Sequence, residues 1–352
     1  MKLLLISVKS EVSHGGIATW TERFLERCNA HEIDCTIVNT EAVGKRATQG
    51  NAKRNLWDEV IRTRRIFSDL KKSLSDRNYD AVHLNTSCGN FGLFRDYLMA
   101  WHVKKKGLRL ITHFHCDIPY WIHNGLNRSC LGKLAALSDE RLVLCESSRQ
   151  YLKDNFGVES QKVPNFLSET LIRQEYKVIS PTLSTAIFVG RVSEAKGARE
   201  IWELASRFPQ IEFRLVGDIS DSVATWNKPE NIKLMGGMPH CDVLAEMDEA
   251  DIFLFPSHSE GFSLALMEAM ARGLPAVATD VGANADMLAD GCGIVTDIGD
   301  VDTMQKAIVK LTDVNIRIQM SKNAVHKVRE QYKIDRILEQ FINYYKRENV
   351  DS

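Results

Sequence analysis

Residues 251–282 read DIFLFPSHSEGFSLALMEAMARGLPAVATDVG. The apolar run DIFLF reads as a buried strand and breaks at Pro256 into a Ser/Gly loop. The loop gives way to a helix-forming run, and LPAVATD reads as a second buried strand. Glu260 therefore stands at the C-terminal end of a strand. Glu268, eight positions later, stands about a turn into the following helix. Between them lie the backbone N–H groups of Gly261, Phe262, Ser263 and Leu264. A helix N-terminus holds free N–H donors and partial positive charge, which suits a phosphate. Carboxylates only accept hydrogen bonds, which suits sugar or ribose hydroxyls. Hydroxyl-rich groups on both sides of a diphosphate describe a sugar nucleotide. The same letters have a plainer reading. Glu268 and Arg272 are four apart and fit a solvated helix pair of about a few tenths of a kcal/mol, and Glu260 fits a loop residue with no partner.

Outward from this segment, apolar runs alternate with amphipathic ones. KLLLISV, CTIVN, AVHLN, LRLITHF and RLVLCES are strand candidates in the first half. Ile17–Asn29, Trp57–Leu74, Phe91–Lys105 and Ser147–Phe156 are helix candidates between them. Such alternation predicts parallel sheets with helices on both faces. The pattern restarts at AIFVG near residue 186, after a connecting segment with prolines at 164 and 181. At 352 residues the chain suits two domains. They are placed at 1–172 and 173–335, with a last helix over 336–352. Ligands of doubly wound sheets bind outside the C-terminal strand ends. GRVSEAK, VGD, PSHSEG and TDVG all fall there.

The segment from Phe255 resembles the E-x7-E signature of retaining GT-B glycosyltransferases of family 4, the glycosyltransferase group 1 type. TAIFVGRVSEAKG (Thr185–Gly197) is similar to that family's strand followed by G-R-x(4–5)-K-G, and RLVGD to its next strand with a terminal glycine. The match departs at VGANAD, where the family usually has glycine for Ala283 and glutamate for Asp286. The resemblance implies two Rossmann-like domains facing across a cleft, with the last helix crossing back to the first domain. It implies that Glu268 binds the ribose and Glu260 the donor sugar, while Arg191 and Lys196 neutralise the diphosphate. Gly190 and Gly217 end strands beside the donor. The reaction implied is same-face transfer of a sugar from a UDP- or GDP-linked donor to a glycan or lipid-linked acceptor, with retention. No D-x-D element stands where a metal would be needed, so no metal and no cofactor beyond the donor are expected. A sugar-nucleotide epimerase on the same architecture, or a partner subunit without turnover, remains the alternative.

In the first half, Gly15 and Gly16 open the first helix, where a G-G turn lets backbone approach a phosphate. The spacing is not a dinucleotide fingerprint. THFHCD ends the fourth strand, with His113 and His115 on one face. The resemblance assigns His115 to the donor sugar. His113 reads as a hydrogen-bonded core histidine. A zinc reading with Cys116, Asp117 and His123 lacks a matching distant pair. Basic residues crowd Lys45–Arg77 and Lys104–Lys106. They fit a solvated helix face, or a surface that meets anionic lipid and brings the enzyme to a lipid-linked acceptor.

Composition narrows the rest. Charged residues are 26% and hydrophobic ones 44%, as in soluble globular proteins. A net charge of −1 argues against nucleic acid. Leu3–Val8 is too short for a signal-peptide core or a membrane span. The eight cysteines form no C-x-x-C pair and read as free thiols of a cytoplasmic protein, with peripheral membrane contact at most.

Overall fold

The computed structural model describes residues 1–9, 15–43 and 55–346. Lys45, Arg46, Lys53 and Arg54 of the basic segment lie outside the described residues. The chain divides into two compact units. One is Met1–Phe166 with the segment from Ile334, and the other is Leu167–Lys333. The division thus falls earlier in the connecting segment than residue 172.

The first unit holds β1 (Lys2–Ser7), β2 (Asp34–Asn39), β3 (Ala81–Thr86), β4 (Leu110–Phe114), β5 (Glu140–Val143) and β6 (Gln161–Lys162). They form one parallel sheet in the order β2-β1-β3-β4-β5-β6. Successive side chains of a strand point to opposite faces. Leu4 and Ile6 accordingly join one core, with Ile66, Leu70, Leu93 and Leu131 from the overlying helices. Leu3 and Leu5 join the other, with Trp20, Phe24 and the terminal helix. Both faces are covered, so β3 and β4 are buried along their whole length.

The terminal helix, Ile334–Lys346, belongs to this unit. Its stripe of Ile334, Ile337, Leu338, Phe341 and Tyr345 lies in the second core. Arg27 donates to Asp335 Oδ1 at 3.0 Å, and His31 Nε2 lies 2.8 Å from the same oxygen. The Arg27 guanidinium holds the Asp335 carboxyl below its usual range.

The second unit holds β7 (Thr185–Val189), β8 (Glu212–Val216), β9 (Ile232–Gly236), β10 (Ile252–Phe255), β11 (Ala276–Thr279) and β12 (Gly293–Thr296), in the order β12-β11-β10-β7-β8-β9. This is the strand order of the dinucleotide-binding fold. The first sheet differs from it, since only β2 lies beyond β1. In the second sheet the order reverses between β7 and β10, which pair directly. The segments GRVSEAKG and PSHSEG leave those two strands, so they sit at the switch point where such sheets bind ligands.

Candidate functional site

In the second unit the loops after β7, β10 and β11 are in contact. Gly197 has φ +83, and a Cβ there would lie 2.2 Å from the Pro256 carbonyl oxygen. Gly282 has φ +56, and a Cβ there would lie 2.2 Å from the Glu260 carbonyl oxygen. Both positions need glycine for their backbone conformation and for this close approach. The Ala283 N–H donates to the Gly261 carbonyl at 3.0 Å, and Thr279 Oγ1 donates to the Ser257 carbonyl. Ala283 itself has φ −96 and ψ 3, which any L-residue adopts. The departure from a second glycine therefore leaves this loop intact. Asp286 is exposed, and its carbonyl accepts from Lys327 Nζ at 2.6 Å.

Lys196 ends a short 3-10 turn, Glu194–Lys196, stopped by Gly197 in the left-handed region. Its Nζ donates to Glu260 Oε1 at 2.5 Å and approaches the Ser259 carbonyl at 3.4 Å. The two residues expected on diphosphate and sugar are thus joined as an ion pair. Both are part-buried, where such a pair is screened less than at the surface. Arg191 is exposed at the start of the same loop and has no carboxylate partner among the described residues. Gly190 and Gly217 end neighbouring strands, and the Gly190 N–H donates to the Val216 carbonyl at 2.9 Å.

The helix Leu264–Ala271 begins four residues after Glu260. Ser263 caps it, its Oγ accepting from the Leu266 N–H at 3.1 Å. The N–H groups of Gly261, Phe262, Ser263 and Leu264 donate to no protein acceptor among the described residues. Phe262 packs edge-on against Tyr332, ring centres 5.5 Å apart, which fixes the loop from behind. Glu268 is buried, and its Oε1 lies 3.1 Å from His240 Nε2. The solvated-pair reading of Arg272 is corrected. Its guanidinium turns to Asp248, which Arg173 also holds at 2.9 Å.

Two histidines here escaped the sequence reading. His240 is far from Glu268 in sequence. His258 stands two residues before Glu260, and its Nε2 lies 2.7 Å from Oε1 of the buried Glu200. The second Glu200 oxygen is buried with no partner among the described residues.

In the first unit, His115 follows β4. Its Nε2 lies 3.0 Å from Asn85 Oδ1, and its ring centre lies 4.0 Å from that of His113. The two rings share a face, as their spacing requires. His113 is fully buried, but neither of its ring nitrogens has a partner among the described residues, contrary to the hydrogen-bonded core role. Asp117 accepts from Ser147 Oγ at 2.6 Å. Among the described residues no three His, Cys, Asp or Glu are grouped to hold a metal. Gly15 is the extended N-cap of helix Gly16–Cys28, and a Cβ on Gly16 would meet nothing within 4 Å. The fold of this helix does not itself demand the second glycine.

Comparison with known proteins places the chain. Residues 173–327 match the model described as glycosyl transferases group 1, and residues 14–165 match glycosyltransferase family 4. The chain belongs to the group 1 glycosyltransferases. Over 267 residues it is 25% identical to 2-deoxystreptamine N-acetyl-D-glucosaminyltransferase of Niallia circulans, covering 66% of this chain and 67% of that one. It is 24% identical to UDP-Gal:alpha-D-GlcNAc-diphosphoundecaprenol alpha-1,3-galactosyltransferase of Escherichia coli, covering 81% and 80%. Sucrose-phosphate synthase from Thermosynechococcus elongatus superimposes with a TM-score of 0.80 at 17% identity, covering 98% of each chain. This glycosyltransferase therefore has the two-domain GT-B fold. No helix among the described residues is long and apolar enough to cross a membrane.

Proposed function

We propose that this glycosyltransferase moves a sugar, with retention, from a UDP- or GDP-linked donor to a glycan or lipid-linked acceptor in bacterial surface polysaccharide or glycoconjugate assembly. The observation that carries the reading is the Lys196–Glu260 pair at the switch point, beside helix-start N–H groups with no protein acceptor among the described residues, with Glu268 buried one turn on. Cations and oriented N–H groups there meet the charge that accumulates on the departing diphosphate. They do so without requiring a metal. The acceptor hydroxyl attacks the face the diphosphate leaves. The bond from sugar carbon to phosphate oxygen breaks, the bond to the acceptor oxygen forms, and the hydroxyl proton passes to the diphosphate. Glu260 orients Lys196 through Oε1 and offers Oε2 to the donor sugar. His115 of the first unit meets a sugar hydroxyl.

Glu268 is the ribose acceptor in this reading. Hydrogen bonds to a charged group contribute about 1.5–3 kcal/mol each. Glu268→Ala is expected to weaken nucleoside diphosphate binding at least about tenfold in calorimetric titration, with the fold retained. Unchanged affinity removes the ribose assignment.

A lipid-linked acceptor is favoured by the rim of the first unit. Trp57, Val60, Ile61, Phe91, Phe94, Tyr120, Trp121 and Leu126 are exposed. They stand at the starts of helices that follow β2, β3 and β4, hence on the edge where those strands end. Clustered exposed apolar side chains mark interaction surfaces, and aromatic rings suit a membrane interface. In the basic segment Arg62 and Arg65 serve the fold, while Arg64, Lys71 and Lys72 are exposed. Arg62 donates to the Thr40 carbonyl and Arg65 to that of Glu41 at 2.8 Å, while Ile66 and Leu70 are core. Lys71 and Lys72 lie about 20 Å along the helix from Trp57 at 1.5 Å per residue. Sedimentation with anionic vesicles is expected to carry the protein down, and Trp57→Ser with Ile61→Ser and Trp121→Ser to release it. Recovery of the unaltered protein in the supernatant leaves a solvated face.

A further inference from the structure

The polar side chains behind His115 form one hydrogen-bonded chain, and its direction can be read from its far end. Thr21 Oγ1 donates to the Ile17 carbonyl at 2.8 Å, and a carbonyl offers no proton in return. Thr21 has only that one proton. Ser7 Oγ, 2.6 Å from Thr21 Oγ1, is therefore the donor of the pair. With its own proton so used, Ser7 accepts from Asn85 Nδ2 at 2.9 Å. That turns the amide so that Oδ1 faces His115 Nε2 at 3.0 Å. An amide oxygen only accepts, so Nε2 carries the proton and Nδ1 of the neutral ring is left as a lone pair. Three of the four links, Ser7, Thr21 and Asn85, are buried, so water does not compete for them. The ring is also held from its faces. His113 lies 4.0 Å from it and Trp20 stands edge-on at 5.3 Å. Burial keeps the ring neutral, with its pKa pulled down to about 3.

We propose that Thr21, Ser7 and Asn85 fix His115 as the Nε2–H tautomer, so that it meets the substrate through Nδ1 as a hydrogen-bond acceptor for a neutral hydroxyl. A ring fixed this way has no proton to give a phosphate or a carboxylate at that point. His115 is then a hydroxyl-selecting contact and not an anion contact or a proton donor, and Asn85 is its positioning residue. The nature of the hydroxyl rests on the transferase reading. The tautomer does not.

The test uses the full chain labelled with 15N-histidine. The His115 signals, identified by their loss in His115→Gln, are expected to show a proton-bearing Nε2 and a bare Nδ1 near pH 7.5. A proton on Nδ1, or on both nitrogens, overturns the proposal whatever the activity. Asn85→Leu is expected to mix the tautomers and to lower kcat/KM by about tenfold, the loss of one hydrogen bond of this kind. Asn85→Asp keeps an acceptor facing Nε2–H, so it is expected to hold the tautomer and retain more activity than Asn85→Leu. A packing role for Asn85 predicts the reverse order, because a buried carboxylate is costlier than a leucine. Greater activity in Asn85→Leu than in Asn85→Asp overturns the positioning role. If the tautomer is as expected but no sugar nucleotide serves as donor, the transferase reading fails and the ring assignment stands.

Discussion

Lys196→Ala is expected to lower kcat by about 10²–10³-fold, the range seen when one preorganised donor to a developing anion is removed. Two effects act together. The ammonium no longer meets the departing diphosphate, whose charge is greatest in the transition state. The Glu260 carboxylate, held by Lys196 at 2.5 Å, is left uncompensated and repels the same anion. The second effect is separable. In the Lys196→Ala, Glu260→Gln double variant the repulsion is gone, so nucleoside diphosphate affinity should recover relative to Lys196→Ala while kcat stays low. Steady-state kinetics with a titration of the diphosphate product reads both. Strict additivity of the two substitutions contradicts the coupling that their contact implies. Arg191→Ala is expected to lower kcat in the same direction. Arg191 is exposed and unpaired among the described residues, so it should do so without loss of stability. A near-unaltered kcat in Lys196→Ala removes the proposed role of the cation.

Acid is expected to unfold the first unit well above the range where carboxylates titrate. His83 and His113 are fully buried among Trp20, Phe24 and Phe341. Burial pulls the His83 pKa down to about 3 and that of His113 well below its ordinary value. In the unfolded chain both titrate near 6.5. Below that pH the unfolded state binds protons that the native state refuses. Stability is thus complete above about pH 6.5 and falls toward pH 3, by about 1.4 kcal/mol per pH unit for each histidine. Melting curves at pH 7.5, 6 and 5 should show an early loss. His83→Phe also removes the bond from Tyr345 to the ring at 2.6 Å, so His113→Phe is the cleaner variant. It should flatten the pH dependence by about one proton. A melting temperature independent of pH between 7 and 5 contradicts this account.

The parts of the site that follow from local order were legible in the sequence. Apolar runs alternating with amphipathic ones identify strand ends, and parallel strands bring those ends to one edge. Glu260, Lys196 and Gly261–Leu264 could therefore be placed on that edge from the letters alone. Which loops touch is a different matter, because it depends on strand order. β7 and β10 are neighbours although β8 and β9 lie between them in sequence, and only that adjacency brings Lys196 onto Glu260.

Charge was read least well. A run of Arg and Lys looks like a basic surface, yet Arg62 and Arg65 lie back along their helix to cap backbone carbonyls after β2. Arg272, at helical spacing from Glu268, pairs elsewhere because Asp248 is nearer in space. The buried chain from Thr21 to His115 draws on β1, the first helix and β3, and its members carry no shared spacing. Trp57 was legible beside the basic residues, but the exposed aromatics Phe91, Phe94, Tyr120 and Trp121 went unread, since periodicity marks the buried stripe of a helix and not the start that projects beyond it.

In the proposed function the loops after β7 and β10 take a nucleoside diphosphate. The most direct measurement is the melting temperature of the full chain with UDP, GDP, ADP and TDP and their sugar conjugates, beside the same series for Glu268→Ala. A ligand that binds only the folded state raises the midpoint by mass action, by about 2.7 kcal/mol of stability at a hundred times its Kd. The account predicts that one base stands out, and that Glu268→Ala cuts its shift to about half or less, since a tenfold weaker Kd leaves about 1.4 kcal/mol. No shift with any nucleotide, or a shift that Glu268→Ala leaves unchanged, would contradict it.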